Sequence, residues 1–209
     1  MINIPISEIF YSLQGEWPNT GKPSIFVRFW GCNLKCSWCD SKYAWHKDHI
    51  KEMKTMELYD ICNLIESFDG THVIFTGGEP AMFQDKIWLI MEGLDWYTFE
   101  IETNGSFPIN LQFDQVNVSY KFLSSGNKKY ELKALWEDYA YKFVVNSKED
   151  REEMEAIIAE HNLKNIYIMP LGRTSDSQDR DDLMQYCMRH NYNYCPRQHI
   201  KWFGDKKGV

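Results

Sequence analysis

The chain has 209 residues, 44% of them hydrophobic and 25% charged, which is the balance of a folded globular protein and excludes a disordered one. Its net charge of −7 works against non-specific binding to nucleic acid. The start, Met1-Ile2-Asn3-Ile4-Pro5, has no basic stretch ahead of an apolar run, and apolar runs such as 87–91 fall far short of the roughly 18 residues that span a bilayer. A cytoplasmic protein with no membrane contact is expected, and in a reducing compartment its six cysteines need not pair.

Residues 24–30 read as a buried strand. It delivers Gly31-Cys32-Asn33-Leu34-Lys35-Cys36-Ser37-Trp38-Cys39-Asp40, where three thiols lie within eight residues at the spacing C-x3-C-x2-C. Thiolates so close together suit zinc or an iron–sulfur cluster, being soft ligands. Thr55 is placed to cap a helix whose Leu58, Ile61, Cys62, Ile65 and Phe68 share one face. Residues 71–75 form a short strand running into Thr76-Gly77-Gly78-Glu79-Pro80, and 87–91 belong to a helix that stops near Gly93. A strand over 97–101 ends at Glu102-Thr103-Asn104-Gly105, and strands over 116–121 and 139–145 follow. Ser147-Lys148-Glu149-Asp150 has the form of a capping box and opens a helix with Met154, Ile157 and Ile158 inward. A strand over 165–169 runs into Pro170, then a helix over 179–190 and a last strand over 192–195.

Strands alternating with helices imply right-handed βαβ units and a parallel sheet. About six units fit, short of the eight that close a barrel, so the expected fold is α/β, an incomplete TIM-like barrel in a single domain over 1–209. Its polar and glycine-rich segments sit at strand ends, where such folds bind ligands. Two glycines at 77 and 78 would let a ligand approach the backbone, Glu79 offers a carboxylate to a cationic amine, and Glu102 can accept from ribose hydroxyls. Taken singly, each is also an ordinary turn. For the thiols the alternative is a structural zinc, which takes four ligands and would recruit His46. No second C-x2-C pair exists, however, and a three-thiol loop leaves one metal position open.

The loop C-x3-C-x-aromatic-C, with Gly-Gly-Glu-Pro downstream, resembles the radical S-adenosylmethionine (radical SAM) family. More narrowly, Phe10-Tyr11-Ser12-Leu13-Gln14-Gly15-Glu16, Phe26-x-Arg28, the cysteine loop, and Pro196-Arg197-Gln198-His199 with Trp202-Phe203-Gly204-Asp205 resemble the 7-carboxy-7-deazaguanine synthases over nearly the whole chain. That resemblance implies a lyase converting 6-carboxy-5,6,7,8-tetrahydropterin to 7-carboxy-7-deazaguanine with release of ammonia, on the route to queuosine and other 7-deazapurines. It implies a 4Fe-4S cluster on Cys32, Cys36 and Cys39, S-adenosylmethionine, Mg2+, an external one-electron reductant such as flavodoxin, and a homodimer. By the same resemblance Trp38, Thr76, Gly77, Gly78, Glu79, Glu102, Asn104, Ser119, Lys121, Met169 and Pro170 contact the cofactor. Leu13, Gln14, Gly15, Glu16, Arg28, Thr76, His199 and Val209 contact the pterin, the N- and C-terminal segments capping its pocket. Three positions depart from the family pattern: Ser41 replaces a Thr that ligates Mg2+, Ser119-Tyr120-Lys121 replaces Ser-Pro-Lys, and Trp17 replaces Gly. An activase that installs a glycyl radical on a partner protein shares the cysteine loop but has no need of the Gln-Gly-Glu segment or the Arg-x-His tail.

Overall fold

The structure, a computed structural model, describes residues 2–16, 18–204 and 206–208. Strand β1 (Asn3–Leu13) pairs antiparallel with β2 (Pro23–Phe29) on one side and with β3 (Lys54–Glu57) on the other. From β2 the sheet continues with parallel strands in sequence order: β4 (His72–Gly77), β5 (Thr98–Thr103), β6 (Gln115–Tyr120), β7 (Ala140–Val145), β8 (Ile166–Pro170) and the short β9 (Asn193–Tyr194). Helices α1 (Leu58–Glu66), α2 (Gln84–Glu92), α3 (Lys148–His161) and α4 (Asp181–His190) fill four connections, and α5 (Gln198–Phe203) follows the last strand. The order β3-β1-β2-β4-β5-β6-β7-β8-β9 leaves the barrel open, as expected.

Successive side chains of a strand point to opposite faces, and here the two phases differ in chemistry. Val27, Phe29, Val73, Phe75, Ile101, Val118, Phe143 and Ile168 join Ile61, Ile87, Ile90, Met154 and Ile157 of the helices in one apolar core. The other phase carries Arg28, Thr76, Glu102, Ser119, Lys142 and Met169, all of which face a cavity. The core phase therefore fixes which polar residues meet inside the half-barrel. No helix among the described residues is long and apolar enough to cross a membrane.

Several local expectations need correction. Segment 3–13, to which the sequence reading assigned no element, is a full strand with Ile4 and Ile6 wholly buried. Thr55 lies within β3 rather than capping α1, whose N-cap is Glu57 without a side-chain cap bond. Pro170 has the outward phase of Ile166 and Ile168, so it does not line the cavity that Met169 lines. The connections over 104–114 and 121–139 contain no α-helix; the second has one short 3₁₀ turn, Leu123–Ser125.

The capping box at α3 is formed: Asp150 N donates to Ser147 Oγ (3.2 Å), and Ser147 N donates to Asp150 Oδ2 (3.0 Å). Ser147→Ala should cost ~1 kcal/mol, a fall in Tm of about 2–4 °C for a domain of this size. Calorimetry that shows no fall would mean the cap contributes nothing.

Candidate active site

The cysteine loop is held by backbone. Gly31 N donates to Ala44 O (2.8 Å), Glu79 N to Gly31 O (2.8 Å), Gly78 N to Phe29 O (3.2 Å) and Ser37 N to Ser125 O (2.8 Å). A Cβ on Gly78 would come within 2.0 Å of Gly31 O, and one on Gly77, at φ +135°, within 2.4 Å of Phe29 O. These glycines line the cavity, but their first requirement is close packing, of Gly77 on the end of β2 and of Gly78 on the cysteine loop. Glu79 likewise departs from expectation. Its carboxylate is fully buried and does not line the cavity; it accepts from Ala81 N (3.0 Å), Thr103 Oγ1 (2.6 Å) and Asn104 N (2.7 Å). Burial raises its carboxyl pKa, and these three donors oppose the rise. It thus locks the end of β4 to the end of β5, and Asn104 Nδ2 passes the link back to Asn33 Oδ1 (3.0 Å) beside Cys32.

Each sulfur of the loop accepts at least one N–H: Cys32 from Leu34 N (3.4 Å), Cys36 from Asn127 Nδ2 (3.1 Å) and Cys39 from Trp45 Nε1 (3.3 Å). Burial pushes the Cys32 thiol up to about 12 and raises Cys39 as well, so the bare site favours thiols. Bound iron would supply the positive charge that thiolates need here, and N–H donors at sulfur suit a cluster. Among the described residues no group of three or more His, Cys, Asp or Glu could hold a single ion. A four-iron cluster does not need such convergence, because each thiolate binds its own iron. His46 does not join the thiols: it caps the 3₁₀ segment Lys47–Glu52 and lies outside the cavity lining. The zinc alternative is not supported.

Around the loop lies a cavity of about 390 Å³. Leu13, Gln14, Gly15, Glu16, Arg28, Cys32, Cys36, Trp38, Cys39, Ser41, Thr76, Gly77, Gly78, Glu102, Asn104, Ser119, Lys121, Met169 and His199 all line it. Of the expected site residues, Glu79 and Pro170 do not, and Val209 lies outside the described residues, as does the departure at Trp17. Lys121 donates to Ser119 Oγ (2.5 Å), its ammonium lies 5.8 Å from the Trp38 ring centroid, and burial lowers its pKa. The Tyr130 hydroxyl accepts from Lys121 N (2.9 Å) and donates to Asn104 O (2.8 Å), joining the β6 and β5 ends.

On the opposite wall Gln14 is already engaged. Its Nε2 donates to Glu100 Oε1 and Glu102 Oε1 (3.1 Å each), and its Oε1 accepts from Glu16 N (3.2 Å). Its amide positions its neighbours, although the sequence reading assigned it to contact with the pterin. Glu16 pairs with Lys142 and lies 4.0 Å from His199 Nδ1. Burial alone would raise the Glu16 carboxyl, but Lys142, His199 and Arg197 outweigh it and hold the pKa down. Arg28 Nε donates to Glu8 Oε1 (2.8 Å), which also accepts from the Tyr43 hydroxyl (2.9 Å). Glu102 accepts from Thr76 Oγ1 (2.8 Å), and its burial raises its pKa.

Sequence reasoning gave no site role to Lys142, and quoted Arg197 and Asp40 only as parts of motifs. Arg197 Nη1 reaches Asp40 Oδ2 (3.0 Å) and its Nη2 reaches Gly172 O, so the C-terminal segment clamps the cysteine loop. Burial raises Asp40, but Arg197 and the Ser41 hydroxyl prevail and hold it at about 2. A signal for Lys142 was available: a single cation inside Ala-Tyr-Lys-Phe-Val-Val must find a partner once that strand is buried.

Gly78→Ala should displace the cysteine loop, because no rotation relieves a 2.0 Å contact with backbone. Iron retained after anaerobic reconstitution should fall to a small fraction of that in the parent; full retention would contradict the packing. Burial of His199 lowers its pKa below the free imidazole value near 6.5, with Glu16 opposing. The folded state therefore binds this proton less readily than the unfolded chain, and its contribution to stability is full above about pH 6.5 and declines on acidification. An NMR titration midpoint for His199 above 6.5 would refute this.

The Radical SAM superfamily model matches residues 28–187. The chain is 34% identical to the 7-carboxy-7-deazaguanine synthase of Halobacterium salinarum, over 97% of this chain and 91% of that one. Identity to that of Clostridium acetobutylicum is 33%, over 100% of both. Among solved structures, QueE from Escherichia coli superposes with a TM-score of 0.77 at 25% identity, covering 95% of this chain and 96% of the other. The thiol loop, the strand-end lock around Glu79 and these matches agree: the chain is a radical SAM enzyme and belongs to the family of the 7-carboxy-7-deazaguanine synthases.

Proposed function

We propose that this chain forms 7-carboxy-7-deazaguanine from 6-carboxy-5,6,7,8-tetrahydropterin with loss of ammonia, in 7-deazapurine (queuosine) biosynthesis. The observation that carries the reading is that the cysteine loop and the segment Leu13–Glu16 meet in one cavity, with His199 packed on Gly15. Cys32, Cys36 and Cys39 would hold a 4Fe-4S cluster, which would supply the electron for reductive cleavage of S-adenosylmethionine bound beside it. Asn104, Ser119, Lys121 and Met169 would hold the adenosyl moiety, with the backbone of Gly77 and Gly78 beside its amino acid end. Arg28 and His199 would take the pterin carboxylate, and Arg28 is oriented for it by Glu8. Glu16, fixed by Lys142, would accept from the amino and amide edge. Thr76, Glu102 and Phe26 complete a wall that excludes water from the reacting carbon. Ser41, whose hydroxyl donates to Asp40 Oδ1 (2.9 Å), offers Mg2+ a hard oxygen ligand.

The reading extends to a single domain capped by its two terminal segments, in a cytoplasmic homodimer. Sedimentation of the purified protein tests the dimer. The function is tested by anaerobic turnover of carboxytetrahydropterin with S-adenosylmethionine, Mg2+ and dithionite. Mass spectrometry should detect the carboxydeazaguanine with one ammonia released; cofactor cleavage with no deazapurine would refute the substrate.

A further inference from the structure

One surface of this acidic chain has the opposite sign. Lys35 lies in the cysteine loop, and its backbone N donates to Asn127 Oδ1 (2.9 Å). Lys128 and Lys129 follow Asn127 directly, and Lys133 N donates to Gly105 O (2.8 Å), next to Ser106, whose Oγ accepts from Asn33 Nδ2 (2.9 Å). All four lysines are exposed on loops stitched around positions 33–37. The acids facing them are Glu131, 3.7 Å from Lys133, and Glu153, opposite Lys129. Among the described residues no carboxylate pairs with Lys35 or Lys128.

The loop that carries Lys128 and Lys129 reaches one sulfur directly through Asn127. Cys32 and Cys39 accept from Leu34 and Trp45, both of which line the cavity. Cys36 accepts from Asn127, which does not line the cavity and is half-buried at the outer surface. Asn127 is therefore the only cover drawn from the lysine-bearing loop that is bonded directly to a cluster-ligating sulfur among the described residues. Leu123, 55% exposed on the same loop, adds an apolar contact beside the charges.

We propose that Lys35, Lys128, Lys129 and Lys133 form the docking surface for an acidic one-electron carrier protein, with Asn127 and Cys36 as the electron entry. The carrier is oxidised by one electron and the cluster reduced by one; no bond or proton moves. Charge complementarity of this kind sets encounter rate and salt dependence, and it matters here because the net charge of −7 would otherwise repel such a partner. The inference rests on the cluster at Cys32, Cys36 and Cys39 and is independent of the pterin assignment.

The test uses the reconstituted enzyme, its Lys35→Glu/Lys128→Glu/Lys129→Glu variant, and a control variant, Lys54→Glu/Lys164→Glu, remote in sequence from these loops. Binding of an acidic flavodoxin is measured by calorimetry at low and high salt without turnover, and S-adenosylmethionine cleavage is driven either by that flavodoxin or by dithionite. The triple variant should bind at least about ten-fold more weakly, lose most of the salt dependence, and show a raised KM for flavodoxin with its dithionite-driven cleavage unchanged. Unaltered binding, or an equal loss in the control variant, would overturn the docking surface. Absence of dithionite-driven cleavage in the parent enzyme would instead refute the cluster on which the proposal stands.

Discussion

The close approach of Gly78 to the carbonyl of Gly31 is the constraint on which the site depends. It brings the end of β4 against the cysteine loop with no side chain between them. From that contact the strand ends are tied in series. Glu79 binds Thr103 and Asn104, Asn104 binds Asn33, and Tyr130 joins Asn104 to Lys121. Such bonds are short in reach, so each loop position constrains the next. A buried carboxylate with three donors is costly to disturb, since any donor left unpaired loses its hydrogen bond and remains desolvated. A rigid rim suits radical chemistry, in which a reactive centre must meet one carbon and no other.

A second constraint is electrostatic. The inner phase of the sheet places Glu100, Glu102 and Lys142 in the half-barrel, with Glu16 brought in from the N-terminal segment. Buried charges of this kind persist only when paired and hydrogen-bonded. Glu100 meets Gln14, Asn19, Asn117 and His72, while Lys142 meets Glu16. The network is anchored on strands whose outer phase is held in the apolar core. Polar groups are thereby oriented before any ligand arrives, which lowers the ordering cost of binding.

The strand and helix succession from β4 onward was legible because its signals are local: apolar runs ended by glycine, and a capping box at Ser147. The cysteine loop was legible for the same reason. Strand β1 was not, since its pairing depends on β2 and β3, which lie further along the chain. Thr55 misled because a good capping residue gave way to strand pairing with Pro5. Glu79 and Gln14 were read as ligand contacts, yet the side chains of both are already engaged within the protein. Their partners lie far along the chain, 24 residues away for Glu79 and 86 for Gln14, and no local pattern reports such contacts. The pairing of Arg197 with Asp40, 157 residues apart, was missed for that reason.

The two sides of the cavity are built from different parts of the chain. The cysteine loop and the ends of β4, β5 and β6 form a frame of backbone bonds and short side chains around the cluster and cofactor positions. The wall facing it comes largely from the two ends of the chain: Gln14, Gly15 and Glu16 on one side, Arg197 and His199 on the other. These ends are packed so closely that a Cβ on Gly15 would fall 2.5 Å from His199 Cβ. Gln198 N donates to Gly15 O (2.8 Å), and the Arg197–Asp40 pair pins the assembly to the cysteine loop. Substitutions in the terminal segments can therefore reshape this wall while the frame around the cysteine loop stays intact. Asp40 is the exception, because it belongs to both, and it couples closure of the pocket to the position of Cys39 next to it in the chain.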